Sequence, residues 1–345
     1  MEGQLITRVT ISDIAERASL SIGAVSYALN NKPGVSTETR TRVKLIARQM
    51  GWTPNQAARS LSRSRADAIG LVLLRPARLL GIEPFYMEFI AGVEAVISSK
   101  GIAILLHVLD ERAKEIETYE KWWAQRRVDG VLLVDMLQED PRVEAVRRIG
   151  IPAVCVTGDP TAAGDIPSIW TDEGSAMREA LHYLIGLGHR RVARVGGVGE
   201  LVHITMRDNA FLEVAAEAGI ENPTIIHTDF SGEAGARATL ALLAQQSPPT
   251  AIIFDNDVMA VAGLGVAASL GVSVPSRLSL LAWDDSQLCE VTYPALSAMQ
   301  HDPSTLGSAA AELLLEVIEG KNVQNRESLR PALVTRGSTA APAGE

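Results

Sequence analysis

Thr10 and Ser21 are two helix-capping residues only eleven positions apart, and that spacing forces two short helices into one tight corner. After Thr10, with Asp13 three residues on, Ile11, Ile14, Ala15 and Ala18 fall on one helical face. After Ser21, Ile22, Val25, Ala28 and Leu29 repeat the period, so the second helix follows a connection of only a few residues and must cross the first steeply. Asn30 to Val35 has loop chemistry, and Ser36 caps a third helix running through Val43, Leu45, Ile46, Ala47 and Met50 to Gly51. Three short helices around one small core are the expected result. In this corner geometry the first turn of the second helix projects outward, and Ser21, Ile22, Gly23, Ser26 and Tyr27 can reach base edges in a major groove.

Charge supports a nucleic-acid partner for this head. Residues 1–65 hold 10 Lys and Arg against 4 Asp and Glu, a net +6. The whole chain is −9, so residues 66–345 carry −15. A polyanion attracts the head by counterion release and repels the body, which orients the molecule before any base is read.

The ordered set Val9-Thr10-Ile11, Asp13-Ile14-Ala15, Val25-Ser26, Asn30, Val35-Ser36, Thr39-Arg40, Gly51-Trp52, Pro54-Asn55 and Ala57-Ala58-Arg59-Ser60-Leu61 resembles the head of the lactose/galactose repressor (LacI/GalR) family of bacterial regulators. The resemblance adds Thr10, Asn30, Asn55, Ala58 and Leu61 to the expected DNA-contacting set. It implies that Asn55 caps a hinge helix over 56–61 that orders on operator DNA and inserts Leu61 as an apolar wedge in the minor groove. A helix under two turns long is unstable alone, because nucleation outweighs the few bonds gained. Within the reading helix the chain departs from the family pattern. Tyr27 stands where many members have arginine, and Gly23 replaces a longer side chain, so no base preference is carried over.

From Ala68 the pattern changes to alternating strands and helices. Apolar runs at 68–74, 102–106, 130–134 and 153–156, with helical stretches at 85–99, 115–127 and 141–149 between them, make a first βα series. Runs at 191–195, 224–227, 251–254 and 278–283, with helices near 205–219, 232–246 and 256–271, make a second. The expected fold is a small all-α helix-turn-helix head plus an α/β body of two doubly wound parallel-sheet lobes, similar to sugar-binding periplasmic proteins. The expected partition is 1–54 for the head, 55–66 for hinge helix and linker, and 67–345 for the effector-binding and dimerisation domain.

Ligands in open α/β sheets bind at the carboxyl ends of strands, here facing one another across a cleft. The resemblance places Arg207 on polar groups of an effector, with Asn256 and Asp284 as acceptors and Trp170 as an aromatic platform. Phe85, Tyr86 and Phe230 lie on strand-end loops and can supply apolar walls. Where some sugar-binding relatives have an acid, this chain has Thr157, so no particular sugar is inferred.

Two other classes compete with this reading. An α/β enzyme finds no Gly-x-Ser-x-Gly elbow and no P-loop. Asp284 and Asp285 are adjacent and point apart on an extended segment, and Gly263-x-Gly265 lies inside a helical stretch. A transport-binding protein would need an export signal, for which Met1 to Thr10 is too short and polar. The scattered histidines and two cysteines show no zinc spacing, so neither metal nor cofactor is expected, and a reducing cytoplasm suits the free thiols. The favoured reading is a cytoplasmic homodimer, not an enzyme and not membrane-bound, that binds a roughly palindromic operator, represses transcription and responds to a sugar-like effector.

Overall fold

The computed structural model describes residues 9–52, 65–75, 81–220 and 222–343, which fall into two compact units, Met1–Arg65 and Ala66–Glu345. In the first, α1 (Ile11–Ala18), α2 (Ile22–Leu29) and α3 (Thr37–Gln49) start at Thr10, Ser21 and Ser36, each side chain accepting from a backbone N–H in the first turn. Thr10 and Asp13 complete a capping box. Ile14, Ala15, Ala18, Val25, Ala28, Val43 and Ala47 form a closed core, so this unit has an interior of its own. Leu45 is not part of it: it is 55 % exposed, on the outer face of α3. Arg42 donates to the Ala18 carbonyl at 2.5 Å and so ties α3 to the end of α1.

The larger unit has two lobes. The first contains β1 (Ala68–Leu74), α4 (Pro84–Ile97), β2 (Ala103–Leu109), α5 (Ala113–Ala124), β3 (Gly130–Leu133), α6 (Pro141–Ile149), β4 (Ala153–Thr157) and β5 (Ser168–Trp170). The second contains α7 (Glu173–Gly186), β6 (Val192–Gly196), α8 (Val202–Glu217), β7 (Thr224–His227), α9 (Gly232–Leu243), β8 (Ala251–Phe254), α10 (Asp257–Ser269), β9 (Ser279–Trp283), α11 (Gln287–Val291) and β10 (Ser297–Gln300). The chain then returns to the first lobe as α12 (Pro303–Ile318) and β11 (Arg326–Glu327), and ends in the second as β12 (Ala332–Val334). Three crossings therefore join the lobes.

The sheet orders are β11-β5-β4-β3-β1-β2 and β12-β10-β9-β8-β6-β7, every pairing being parallel except β10 with β12. In each lobe the second strand lies outside the first, so the strand order reverses beside the first strand. Apolar side chains pack on both faces of each sheet. This explains why the strands read as continuous apolar runs. The expected βα series match the observed elements to within a few residues.

Periodicity assigned no element to 287–318, and the structure shows why that region matters. Helix α12 packs its Leu306, Ala310, Leu313 and Leu314 with Phe89, Val93 and Ile97 of α4, completing the core of a lobe whose other helices lie far earlier in the chain. The two helices meet through glycine. A Cβ at Gly92 would lie 1.9 Å from the Ser304 carbonyl oxygen, and one at Gly307 would lie 2.1 Å from that of Phe89. Only a residue without Cβ permits this approach.

Candidate functional site

The exposed surface of α2 is the first candidate. Ile22 is 57 % exposed and Tyr27 47 %, neither contributing to the core, and Ser21 and Gly23 are exposed beside them. Apolar and aromatic groups held outward on a capped helix suit contact with thymine methyls and base edges. Ser21 Oγ accepts from the Ala24 N–H at 3.2 Å, and Ser26 is half-buried. Asn30 is engaged locally: its amide donates to the Ser26 carbonyl at 3.0 Å and closes α2. Thr10 is similarly engaged with Asp13. Asn55, Ala58 and Leu61 lie outside the described residues.

A cleft between the lobes of the body, enclosing about 730 Å³ including its open mouth, is the second. About half of its wall is built from residues that end strands or follow them closely. Arg75 follows β1, Asp135 lies just beyond β3, Thr157 ends β4, Thr171 follows β5, Asp255 follows β8, Asp284 follows β9 and His301 follows β10. Phe85 and Tyr86 from α4, His203 and Arg207 from α8, and Phe230 complete it. Asp135, Phe230 and Asp284 have φ of 51°, 65° and 61°, left-handed backbone that a phenylalanine adopts only under constraint. Three such residues around one cavity mark it as a place where packing holds side chains in position.

Arg207 stands at the centre of one charge network. It is 5 % exposed, donates to Glu173 at 2.9 Å and Asp255 at 3.3 Å, and lies 4.2 Å from the centre of the Trp283 ring. Asp255 also accepts from Arg194 at 2.7 Å and from the Gly197 N–H at 2.7 Å. Burial alone would raise the pKa of both acids. The guanidiniums of Arg194 and Arg207 outweigh it for Asp255, as Arg207 and His301 do for Glu173, and both are held below the usual range. Burial takes His203 and His301 down to about 4, so both rings are neutral at neutral pH. Trp283 donates to His301 Nε2 at 2.7 Å.

Arg75 anchors a second network and reaches across the cleft. It pairs with Asp135 at 2.7 Å and Glu83 at 3.6 Å, and its guanidinium sits over Tyr86 of its own lobe at 5.3 Å and Phe230 of the other at 5.0 Å. The lobes also touch beside it, where Val202 donates to the Met136 carbonyl at 2.9 Å and Leu137 forms a β-bridge with Leu201. Burial raises Glu83 to about 7 despite Arg75. The folded protein binds this proton more tightly than the unfolded chain, so ionisation costs stability. The cost is absent below the ordinary value of 4.5 and complete above about 7. Glu83→Gln is expected to raise stability by about 1–3 kcal/mol at pH 8, with the gain vanishing near pH 4.5. Urea unfolding at the two pH values checks this, and an equal gain at both would contradict it.

Of the residues expected at the effector site, Phe85, Tyr86, Arg207, Phe230 and Asp284 line the cleft, whereas Trp170 and Asn256 do not. Asn256 is the N-cap of α10, accepting from the Met259 N–H at 2.8 Å and donating to the Phe230 carbonyl at 3.0 Å, so both ends of its amide are engaged away from the cleft wall. Its neighbour Asp255 takes the place in the wall. Trp170 closes β5 between β4 and β11, and the alternation of side chains turns Thr171 to the cavity instead. Arg75, Glu83, Asp135, Glu173, His203 and His301 were not anticipated. A charged or polar residue directly after an apolar run was the available signal for Arg75, Asp135 and Asp255.

Among the described residues no group of His, Cys, Asp and Glu is placed to hold a metal ion, and no helix is long and apolar enough to cross a membrane. Cys155 and Cys289 are buried free thiols.

Comparison with known proteins bears on both sites. Residues 10–55 match the model for bacterial regulatory proteins of the lacI family, and residues 181–339 match that for a periplasmic binding protein-like domain. The HTH-type transcriptional repressor CytR of Escherichia coli K12 is 30 % identical over 339 residues, covering 97 % of each chain. The transcriptional regulator CelR in complex with cellobiose shares the fold with a TM-score of 0.73, at 27 % identity over 96 % of this chain and 100 % of that one. The Lac repressor dimer bound to operator, at 22 % identity, aligns over 97 % of this chain and 100 % of that one with a TM-score of 0.84, which speaks to the fold. An exposed reading helix on a basic head and a strand-end cleft in the body are thus carried by a chain that belongs to the lacI family of bacterial regulatory proteins, a DNA-binding transcriptional regulator.

Proposed function

We propose that this regulator represses transcription as a homodimer, and that a sugar-like molecule bound between the lobes sets its affinity for a roughly palindromic operator. The observation that carries the reading is the cleft itself, where aromatic walls from Phe85, Tyr86 and Phe230 flank a buried guanidinium and several carboxylates. Apolar faces and polar edges in one cavity match the two sides of a sugar ring. CelR, solved with cellobiose, offers a precedent in a relative. Tyr293 is 98 % exposed and Val291 77 %, an apolar surface on the body that suits contact with a second copy. We place the partition at 1–54, 55–66 and 67–345, with Ser21, Ile22, Gly23, Ser26 and Tyr27 on base edges. Thr10 and Asn30 flank them, and Asn55, Ala58 and Leu61 contact DNA from the hinge. The protein acts by binding and not by catalysis, in the cytoplasm.

Selection of bound sequences from random DNA, followed by a thermal-shift screen against a metabolite library, tests this. A hit is expected to change operator affinity by about 5–150-fold, and the operator must change affinity for the hit by the same factor. Leu61→Ala is expected to lose specific operator binding while keeping effector affinity. Unchanged specific binding would remove the wedge role, and a hit without effect on DNA binding would remove the coupling.

A further inference from the structure

The cleft continues into a side recess beside α10, enclosing about 260 Å³, whose charged lining is acidic only: Glu88, Asp257, Asp284 and Asp285, without Lys or Arg. Phe85, Asp284 and His301 line both cavities, so the recess adjoins the cleft and Asp284 borders both. The charges of the main wall compensate for it only in part: the Arg207 guanidinium favours the ionised form of Asp284 but does not outweigh burial and the neighbouring acids. Arg207 is engaged by Glu173 and Asp255, and Arg75 by Asp135 and Glu83.

Among the described residues only one of the four acids has an ion-pair partner, Asp285 being paired with Arg336 at 2.6 and 2.9 Å. Asp257 is 1 % exposed. One of its oxygens accepts from the Ser286 hydroxyl, and Oδ1 is buried without a partner. Asp284, in left-handed backbone, lines the recess, and among the described residues no donor reaches its carboxylate. An unpaired buried carboxylate is unfavourable, and a neutral hydroxyl offsets it less than a charged N–H donor does. Burial and the neighbouring Asp257 accordingly hold Asp284 well above the usual carboxylate range. A metal ion does not answer this demand, since the described residues include no group placed to hold one.

We propose that this recess receives the ammonium group of the effector, so that the ligand class is a small primary amine on a sugar-like or other compact ring. The proposal rests on the cleft being the effector site and names the chemistry it selects. The ring lies against Phe85 and Phe230, and the ammonium donates to Asp284, with the buried carboxylate of Asp257 adding its charge from behind. Neutral polyols of the same shape fill the cleft but leave these oxygens without a cation.

Thermal-shift and calorimetric titration of the full chain with matched pairs, glucosamine against glucose and cyclohexylamine against cyclohexanol, provides the test. The amine of at least one pair is expected to bind about tenfold or more tightly than its neutral partner. Asp284→Asn, which keeps the shape and tolerates the left-handed backbone, should reduce the preference to within about twofold and raise the melting midpoint of the ligand-free protein. Neutral members that bind as tightly as the amines overturn the proposal and leave the cleft reading standing. An amine preference that survives both Asp284→Asn and Asp257→Asn overturns it as well. Absence of binding by every member of the set overturns the proposal, and failure of the full metabolite screen then removes the cleft reading too.

Discussion

Arg207→Ala is expected to abolish the effector response and to destabilise the body by about 3–5 kcal/mol, while operator binding without effector persists. The stability loss follows from what the guanidinium leaves behind. Glu173, 4 % exposed, loses its 2.9 Å donor, and Asp255 retains Arg194 but loses its second cation. Breaking a buried pair strands a charge that the remaining groups and the little water in the cleft offset only in part. Arg207→Lys keeps the charge without the planar fork that donates to two acids at once, and should fall between the two. The head is spared because Ile14, Val25 and Val43 give it a separate core. Urea unfolding with DNA binding in the presence and absence of a hit separates the two effects. A normal effector response would remove Arg207 from the pocket, and a stability loss under about 1 kcal/mol would show that its ion pairs are not the support argued here.

Gly92→Ala is expected to cost about 3 kcal/mol or more, an unusually large effect for one added methyl. The new Cβ would begin 1.9 Å from the carbonyl oxygen of Ser304, and backbone cannot swing aside as a side-chain tip can. Helices α4 and α12 must separate, opening the packing of Phe89 and Val93 against Leu306 and Ala310. Gly265→Ala is the control. It lies within α10 with nothing inside 4 Å of the added atom, and is expected to stabilise by up to about 1 kcal/mol through helix propensity alone. Urea midpoints measured side by side decide the matter: similar small effects at both positions would contradict the close approach.

Much of this architecture was legible in the residues because its signals are local. Thr10, Ser21 and Ser36 each start a helix, since a side-chain oxygen reaching three residues along the chain needs no tertiary context. Strands such as Ala68–Leu74 and Ala251–Phe254 are legible because burial on both faces leaves an unbroken apolar run. What escaped depends on distant partners. The place of α12 is set by α4, some two hundred residues earlier in the chain, and no periodicity within 303–318 encodes that address. At the site, Asp255 and Asn256 are adjacent and chemically alike. Which one faces the cavity depends on Asn256 being claimed by the first turn of α10 and by Phe230. Arg75 was overlooked because its partners Asp135, Tyr86 and Phe230 come together only when both lobes are in place.

The return of the chain to its first lobe orders events during synthesis. A nascent chain that has reached residue 300 already holds five strands of the second lobe, yet the first still lacks α12 and β11. Until residues 303–318 emerge, Phe89, Val93 and Ile97 of α4 lack the part of their native cover that α12 supplies. A premature stop just beyond residue 300 would therefore injure most severely the lobe translated first, and the final eighth or so of the message carries the part that closes the beginning.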